Sequence, residues 1–103
     1  MTFSFHAEAD EEFREAIGYY ETCQRGLGEE FYLEVHSTID RILSFPQTWP
    51  VLEGEVRRCL VHRFPYGVLY SVEPEGIFIL AVMHLRGIRT TGGSGGSGGT
   101  MRS

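Results

Sequence analysis

The residues best suited to chemistry are arginines near the ends of predicted strands in the C-terminal half of the chain. Guanidinium groups bind carboxylates or phosphates through paired N–H donors. The candidate binding residues are Arg57, Arg58, Arg63 and Arg86. Arg57 and Arg58 are consecutive in a strand and therefore point to opposite faces, so only one of them can join a given surface. His84 could act as a general base or contact a partner, although a hydrogen-bonded structural histidine is the commoner role.

Other catalytic constellations are missing from the sequence. It contains no Ser–His–Asp set, no metal-ligand spacing and no phosphate-binding loop. We therefore expect no metal and no cofactor. The chain has a formal net charge of −5, which opposes a ligand made of phosphates. Direct nucleic-acid binding is not expected from this composition.

Three short strands position the arginines. Residues 56–64 are rich in β-branched and apolar types, and residues 65–67, Pro-Tyr-Gly, interrupt them. Residues 68–72 alternate in the period of a half-buried strand, and residues 73–76, Glu-Pro-Glu-Gly, have the composition of a turn. Residues 77–85 are apolar on both faces, as in a strand covered on two sides. The sequence predicts an antiparallel meander.

A short strand and two helices precede this meander. Residues 2–6 alternate as a strand does, whereas apolar residues after Ala7 and after Leu27 recur at helical spacing. Gly26 separates the two helices, which should form an antiparallel hairpin. The predicted fold is α+β and two-layered, with the hairpin packed on a three- to four-stranded, mainly antiparallel sheet. Its predicted core comprises Phe13, Ile17, Tyr20, Phe31, Val35, Ile39, Ile42, Leu69, Ile79 and Ala81.

The chain divides into one predicted domain and a tail. Residues 1–89 form the domain, and residues 90–103, which include GGSGGSGG, have the composition of a flexible linker with a short appended tail. Residues 1–50 carry ten acidic and three basic side chains, whereas residues 51–89 carry four and five. The helical half is therefore acidic and the sheet half mildly basic. Since no signal peptide or long apolar run occurs, we expect a cytoplasmic protein without a membrane partner.

Four segments together resemble the RelE/ParE superfamily of toxin–antitoxin toxins, on the ParE-like plasmid-stabilisation side. In order, they are YYETCQRGLGEEFYLEV, FPQTW, VRRCLVHRFPYGVLYSVE and ILAVMHLR. The resemblance covers nearly all of residues 3–86 and implies a helix hairpin on an antiparallel sheet. It also implies a toxin held inactive by a cognate antitoxin that wraps the helices and the sheet. ParE-like members poison DNA gyrase, whereas RelE-like members cleave mRNA on the ribosome.

The resemblance leaves three activities open. RelE-like members use lysines, arginines and a C-terminal tyrosine, and a nuclease of that kind would work here through Arg63, His84 and Arg86. The chain has no lysine and no tyrosine after Arg86, which favours a gyrase-binding toxin that is not an enzyme. ParE-like chains usually continue after the HLR segment with arginine, proline and an aromatic pair, whereas residues 87–90 are Gly-Ile-Arg-Thr. An inactive antitoxin-binding domain is the third reading.

A lone two-layer domain leaves one sheet face uncovered, and we expect the antitoxin to cover it. The antitoxin would supply a strand or a helix, with its carboxylates on the arginines. Alternation along the strands cannot tell which side faces the helices. The apolar candidates for the uncovered surface are Leu60, Val68, Tyr70 and Leu80.

Overall fold

The computed structural model describes residues 2–86, in which two helices pack on one side of a five-stranded sheet. The elements are β1 (Thr2–Phe5), α1 (Ala7–Cys23), α2 (Leu27–Ser44), β2 (Val51–Glu53), β3 (Val56–Leu60), β4 (Tyr66–Glu73) and β5 (Gly76–His84). The predicted α+β, two-layer fold is confirmed. The predicted linker, residues 90–103, and the divergent residues 87–90 lie outside the described part of the chain. Neither described helix is long and apolar enough to span a membrane.

The sheet has the order β1-β5-β4-β3-β2, and β3, β4 and β5 form the predicted antiparallel meander. Strand β1 adds to β5 in parallel, with Phe3 opposite Ile77. Strand β2 adds antiparallel to β3, so the sheet has five strands and not three or four. With three residues interrupted by a register shift, β2 is too short to show a strand period in the sequence.

The helix hairpin is fastened at its turn. Gly26 has a φ of 86°, a left-handed conformation that suits glycine. The Glu21 carboxylate accepts hydrogen bonds from the Gly26 and Gly28 backbone N–H groups, each at 3.0 Å, which satisfies donors at the start of α2. A Cβ atom at Gly28 would lie only 2.6 Å from the Ile17 carbonyl oxygen. Glycine at this position therefore allows the two helices to approach closely.

The core lies between the hairpin and the sheet, with Phe31 at its centre. Its ring contacts those of Tyr20, Phe64 and Tyr66, with centroids 4.9–5.1 Å apart. Of the predicted core, Ile17 and Tyr20 are half-buried against it. The members that are fully buried are Phe13, Phe31, Val35, Ile39, Ile42 and Ile79.

The assignment of two core positions on the sheet was wrong. Leu69 and Ala81 are opposite each other and only half-buried, whereas Val68 and Tyr70, expected as candidates for the uncovered side, are fully buried towards the helices. The register shifts between Leu69 and Tyr70, which leaves Leu80 as an extra residue in β5. Such a bulge reverses the alternation of faces along the strand.

Candidate partner-binding surface

Arg57 lies on the helix-facing side of β3 and has a structural role. Its Nη1 atom donates to the carbonyl oxygens of Trp49, at 2.7 Å, and Gln47, at 3.2 Å. The neighbouring Tyr70 hydroxyl donates to the Pro46 carbonyl oxygen at 2.6 Å. These bonds fix the loop between α2 and β2, in which Trp49 packs against the core. Arg57 therefore holds the fold together on the side away from any uncovered sheet surface.

Arg63 lies in the loop between β3 and β4 and is paired with α2. Its Nη2 atom is 2.5 Å from Glu30 Oε1, and its Nη1 atom is 3.6 Å from Glu34 Oε2. The hydrogen bond to Glu30 raises the pKa of the Arg63 guanidinium and outweighs the opposing effect of burial. Its backbone φ of 73° places a non-glycine residue in the left-handed region. Both carboxylates thus compete with any external ligand for this arginine.

His84 faces the helices from the end of β5. Its ring packs edge-on against Tyr66, with centroids 5.3 Å apart, and its Nδ1 atom accepts a hydrogen bond from the Arg86 backbone N–H at 3.1 Å. Burial, and secondarily the charge of Arg86, lower the pKa of the imidazole. A neutral ring with Nδ1 as acceptor fits a structural histidine. Arg86 itself is exposed.

The side of β5, β4 and β3 that faces away from the helices is here called the open face. No element of the described residues 2–86 covers it. The pairing registers, and the contact of Leu85 with Gly67, place an apolar set there: Leu60, Leu69, Phe78, Ala81, Met83 and Leu85. Leu60 and Leu85 are 49% and 42% exposed. Of this set, Leu60, Met83 and Leu85 are exposed, and Leu69, Phe78 and Ala81 are half-buried.

Arg58 crosses the open face. It pairs with Leu69 in the ladder, and its side chain lies over Gly67, where a Cβ atom would be only 3.1 Å from both Cγ and Cδ of Arg58. The missing side chain at Gly67 therefore makes room for the aliphatic part of the arginine to lie along the sheet. Within residues 2–86 its guanidinium has no hydrogen-bond or ion-pair partner. Arg58 is a positioned cation on an apolar surface.

The four predicted arginines differ in whether their side chains have partners within the described chain. Arg57 and Arg63 have intramolecular partners, whereas the side chains of Arg58 and Arg86 have none in the described chain. Sequence reasoning missed the carboxylates of Glu30 and Glu34, because they precede Arg63 by some thirty positions and no local spacing connects them. Sequence reasoning also missed that Gly67 makes room for the Arg58 side chain. The available signal was an isolated glycine next to a predicted strand, which often marks a close approach of another group to the backbone.

A helix hairpin packed on one face of a mixed sheet, with the other face uncovered in residues 2–86, defines a two-layer α+β domain. A solved chain described as the chromosomal ParDE TA system from P. aeruginosa has this fold, with a TM-score of 0.61 and 17% sequence identity. The match covers 82% of this chain and 95% of that chain, and at this identity it shows the fold alone. No curated protein matches the chain by sequence.

The family follows from the sequence itself. Residues 3–88 match the family model described as the ParE toxin of the type II toxin–antitoxin system parDE. The chain therefore belongs to the ParE toxin family of type II toxin–antitoxin systems. The resemblance of the four sequence segments to this family is confirmed.

Proposed function

We propose that this protein is a toxin that binds DNA gyrase without chemistry of its own and that a cognate antitoxin neutralises it. The observation that carries the choice of target is the pairing of Arg63 with Glu30 and Glu34. Together with Arg86, Arg63 is a position at which the chain resembles the catalytic arginines of RelE-like nucleases, and it is the one that lies beside the helices. Its charge is already matched by two carboxylates, which would also repel the phosphates of an mRNA.

Of the other two groups of the nuclease alternative, His84 is already engaged by the chain, whereas Arg86 is exposed. An endonuclease of this kind must activate a 2′-hydroxyl group and stabilise a pentacovalent phosphate. His84 already uses Nδ1 to accept a hydrogen bond from the chain, and the sequence contains no lysine. Binding without catalysis therefore agrees best with these residues.

The open face supports the antitoxin half of the proposal. An apolar surface that includes exposed Leu60, Met83 and Leu85 favours association with another chain, since burying it removes apolar area from water. An antitoxin that binds only the folded toxin would also stabilise it by mass action. We expect the melting temperature of the toxin to rise as antitoxin is added.

The target is tested with purified components. The chain should inhibit DNA supercoiling by gyrase or trap cleaved DNA, and it should leave mRNA intact on translating ribosomes. The Arg63→Ala variant separates the mechanisms, because it removes the candidate catalytic group but no residue of the open face. Cleavage of mRNA within codons that is lost in Arg63→Ala would establish the nuclease alternative and overturn the gyrase proposal.

The divergent sequence after Arg86 favours one further alternative, an inactive antitoxin-binding domain. Residues 87–90 replace the arginine, proline and aromatic pair that usually follow in ParE-like chains. If this segment contributes to gyrase binding, the domain would bind antitoxin but leave gyrase active. Restoring that sequence and repeating the supercoiling assay distinguishes this alternative, because inhibition should then appear.

A further inference from the structure

Strand β5 has a free edge beyond the end of β1. It pairs with β4 along Gly76–His84 but with β1 only as far as Ile79, so residues 80–84 have a strand on one side only in the described chain. The chain turns at Leu85. Five extended residues measure about 17 Å, which is long enough for a short antiparallel ladder. A free edge of this kind can accept a strand from another chain.

The backbone groups of Val82 and His84 point out of this edge. Leu85 donates its N–H to the Pro65 carbonyl oxygen, on the side of β4. Because alternate residues of an antiparallel strand direct their backbone groups to the same side, Val82 and His84 face the other way. The N–H of Val82 indeed donates to Glu12 on α1 and not to β4. No strand within residues 2–86 pairs with that side of either residue.

The Glu12 carboxylate occupies the middle of the free edge. Its Oε1 atom accepts the hydrogen bond from the Val82 N–H at 3.2 Å, and the side chain is half-buried where α1 packs against β5. A strand that is added at this edge must take the Val82 N–H away from the carboxylate. It would also bring its own carbonyl oxygens close to a negative charge. Charged side chains at strand edges oppose pairing with other chains for this reason.

The free edge is complementary to itself. When two copies of β5 run antiparallel about a two-fold axis at Met83, Val82 of one copy lies opposite His84 of the other, and each such pair can exchange both of its N–H···O bonds. Met83 is 37% exposed on the open face and would meet Met83 of the second copy. Both helix hairpins would lie on the same side of the joined sheet. The two Glu12 carboxylates would then approach each other and repel.

We propose that Glu12 blocks the free edge of β5 and that the partner it excludes is a second copy of this chain. The carboxylate opposes the dimer twice, because it holds the Val82 N–H and because it carries a like charge in both copies. Without Glu12, residues 82–84 of two copies form a continuous antiparallel ladder across the two-fold axis. The proposal concerns self-association and is independent of gyrase and of the antitoxin.

Sedimentation of the full chain over a range of concentrations tests the proposal. Glu12→Ala should lower the dissociation constant of the dimer by about tenfold or more, since pairing no longer costs a hydrogen bond to a charged group. Glu12→Gln should lie between this variant and the wild type, because an amide oxygen still accepts a hydrogen bond but carries no charge. Glu15→Ala is the matched control: Glu15 is exposed on the same helix, makes no hydrogen bond to β5 in residues 2–86, and should leave the dissociation constant unchanged.

Amide hydrogen exchange locates the contact. In dilute Glu12→Ala, the Val82 amide should exchange about tenfold faster than in the wild type, because its acceptor is gone. At high concentration the Val82 and His84 amides should become protected together. Adding Met83→Glu to Glu12→Ala should restore the monomer, since it places like charges on the two-fold axis.

Three results would overturn the proposal: sedimentation of Glu12→Ala and Glu12→Gln that is identical to the wild type, a dimer in which Val82 and His84 stay unprotected, or a dimer that persists with Met83→Glu. Circular dichroism shows whether each variant is folded, and Glu12→Gln decides the question if Glu12→Ala is not. High salt gives an independent check. It screens the repulsion between the two carboxylates and should favour the wild-type dimer, but it should change the Glu12→Ala dimer less.

Discussion

The close approach of the two helices at Gly28 provides a sharp test of the fold. In Gly28→Ala the new Cβ atom would lie 2.6 Å from the Ile17 carbonyl oxygen and 2.9 Å from Glu21 Oε1. The first contact is with backbone, so the start of α2 must move away from α1 by several tenths of an ångström. The second contact disturbs the carboxylate that accepts hydrogen bonds from the Gly26 and Gly28 N–H groups. The substitution therefore strains the hairpin and weakens its cap together.

The expected loss follows from three contributions. Overpacking costs about 1–3 kcal/mol, and losing a helix cap costs about 0.5–2 kcal/mol. Replacing glycine by alanine inside a helix stabilises the helix by about 1 kcal/mol, which offsets part of this loss. We expect Gly28→Ala to lower the free energy of unfolding by about 1–3 kcal/mol. For a domain of this size, each kcal/mol shifts the melting temperature by about 4–8 °C.

Gly18→Ala is the matched control. It is the same substitution in α1, but a Cβ atom at Gly18 meets nothing within 4 Å. Its only effect is the gain in helix propensity, so the melting temperature should rise by a few degrees. Thermal and urea unfolding followed by circular dichroism measure both variants. Shifts of the same sign for the two substitutions would refute close helix contact at Gly28.

Three more predictions concern stability and are measured by the same unfolding assays. Phe31→Ala should lower the free energy of unfolding by about 3–5 kcal/mol, because a fully buried aromatic ring leaves a cavity, and a loss below about 1 kcal/mol would contradict its central position. Since burial lowers the pKa of His84 in the folded chain, the neutral ring is favoured on folding, and its contribution to stability should decline as the pH falls below the unfolded value of about 6.5. His84→Gln should remove that part of the decline, and an unchanged pH profile would exclude it. Arg63→Glu should lower the melting temperature more than Arg86→Glu, because only the former introduces a carboxylate beside Glu30 and Glu34, and equal shifts would argue against the ion pair.

Local sequence patterns predicted where the helices and strands lie better than they predicted which faces pack together. The helical spacing around Phe13 and Phe31 and the glycine at position 26 gave the hairpin, because each is a short-range property of the chain. The alternation in β4 gave a strand but not the side that faces the helices. The extra residue Leu80 then reversed the faces of β5, which no period within the strand reveals.

The candidate site was less predictable, because its contacts join distant segments. The sequence identified the arginines and the opposite facing of Arg57 and Arg58. It could not show that Arg63 is neutralised by α2, or that Gly67 makes room for Arg58 on the other face. Both contacts depend on tertiary packing, which composition and spacing do not determine. The sequence thus identified the charged groups themselves. It did not show which of them already have partners within the fold and which are free to bind another molecule.

The parallel pairing of β1 with β5 also affects how the protein is made. Phe5 pairs with Ile79, and the backbone N–H of Val82 donates to Glu12, a contact spanning 70 residues. At a translation rate of about 5–20 residues per second, the N-terminal strand waits about 4–15 s before its neighbour has been synthesised. During that time the apolar stripes of α1 and α2 have no sheet to pack against. The nascent toxin therefore passes through an interval in which chaperones and proteases can bind it before the folded domain exists.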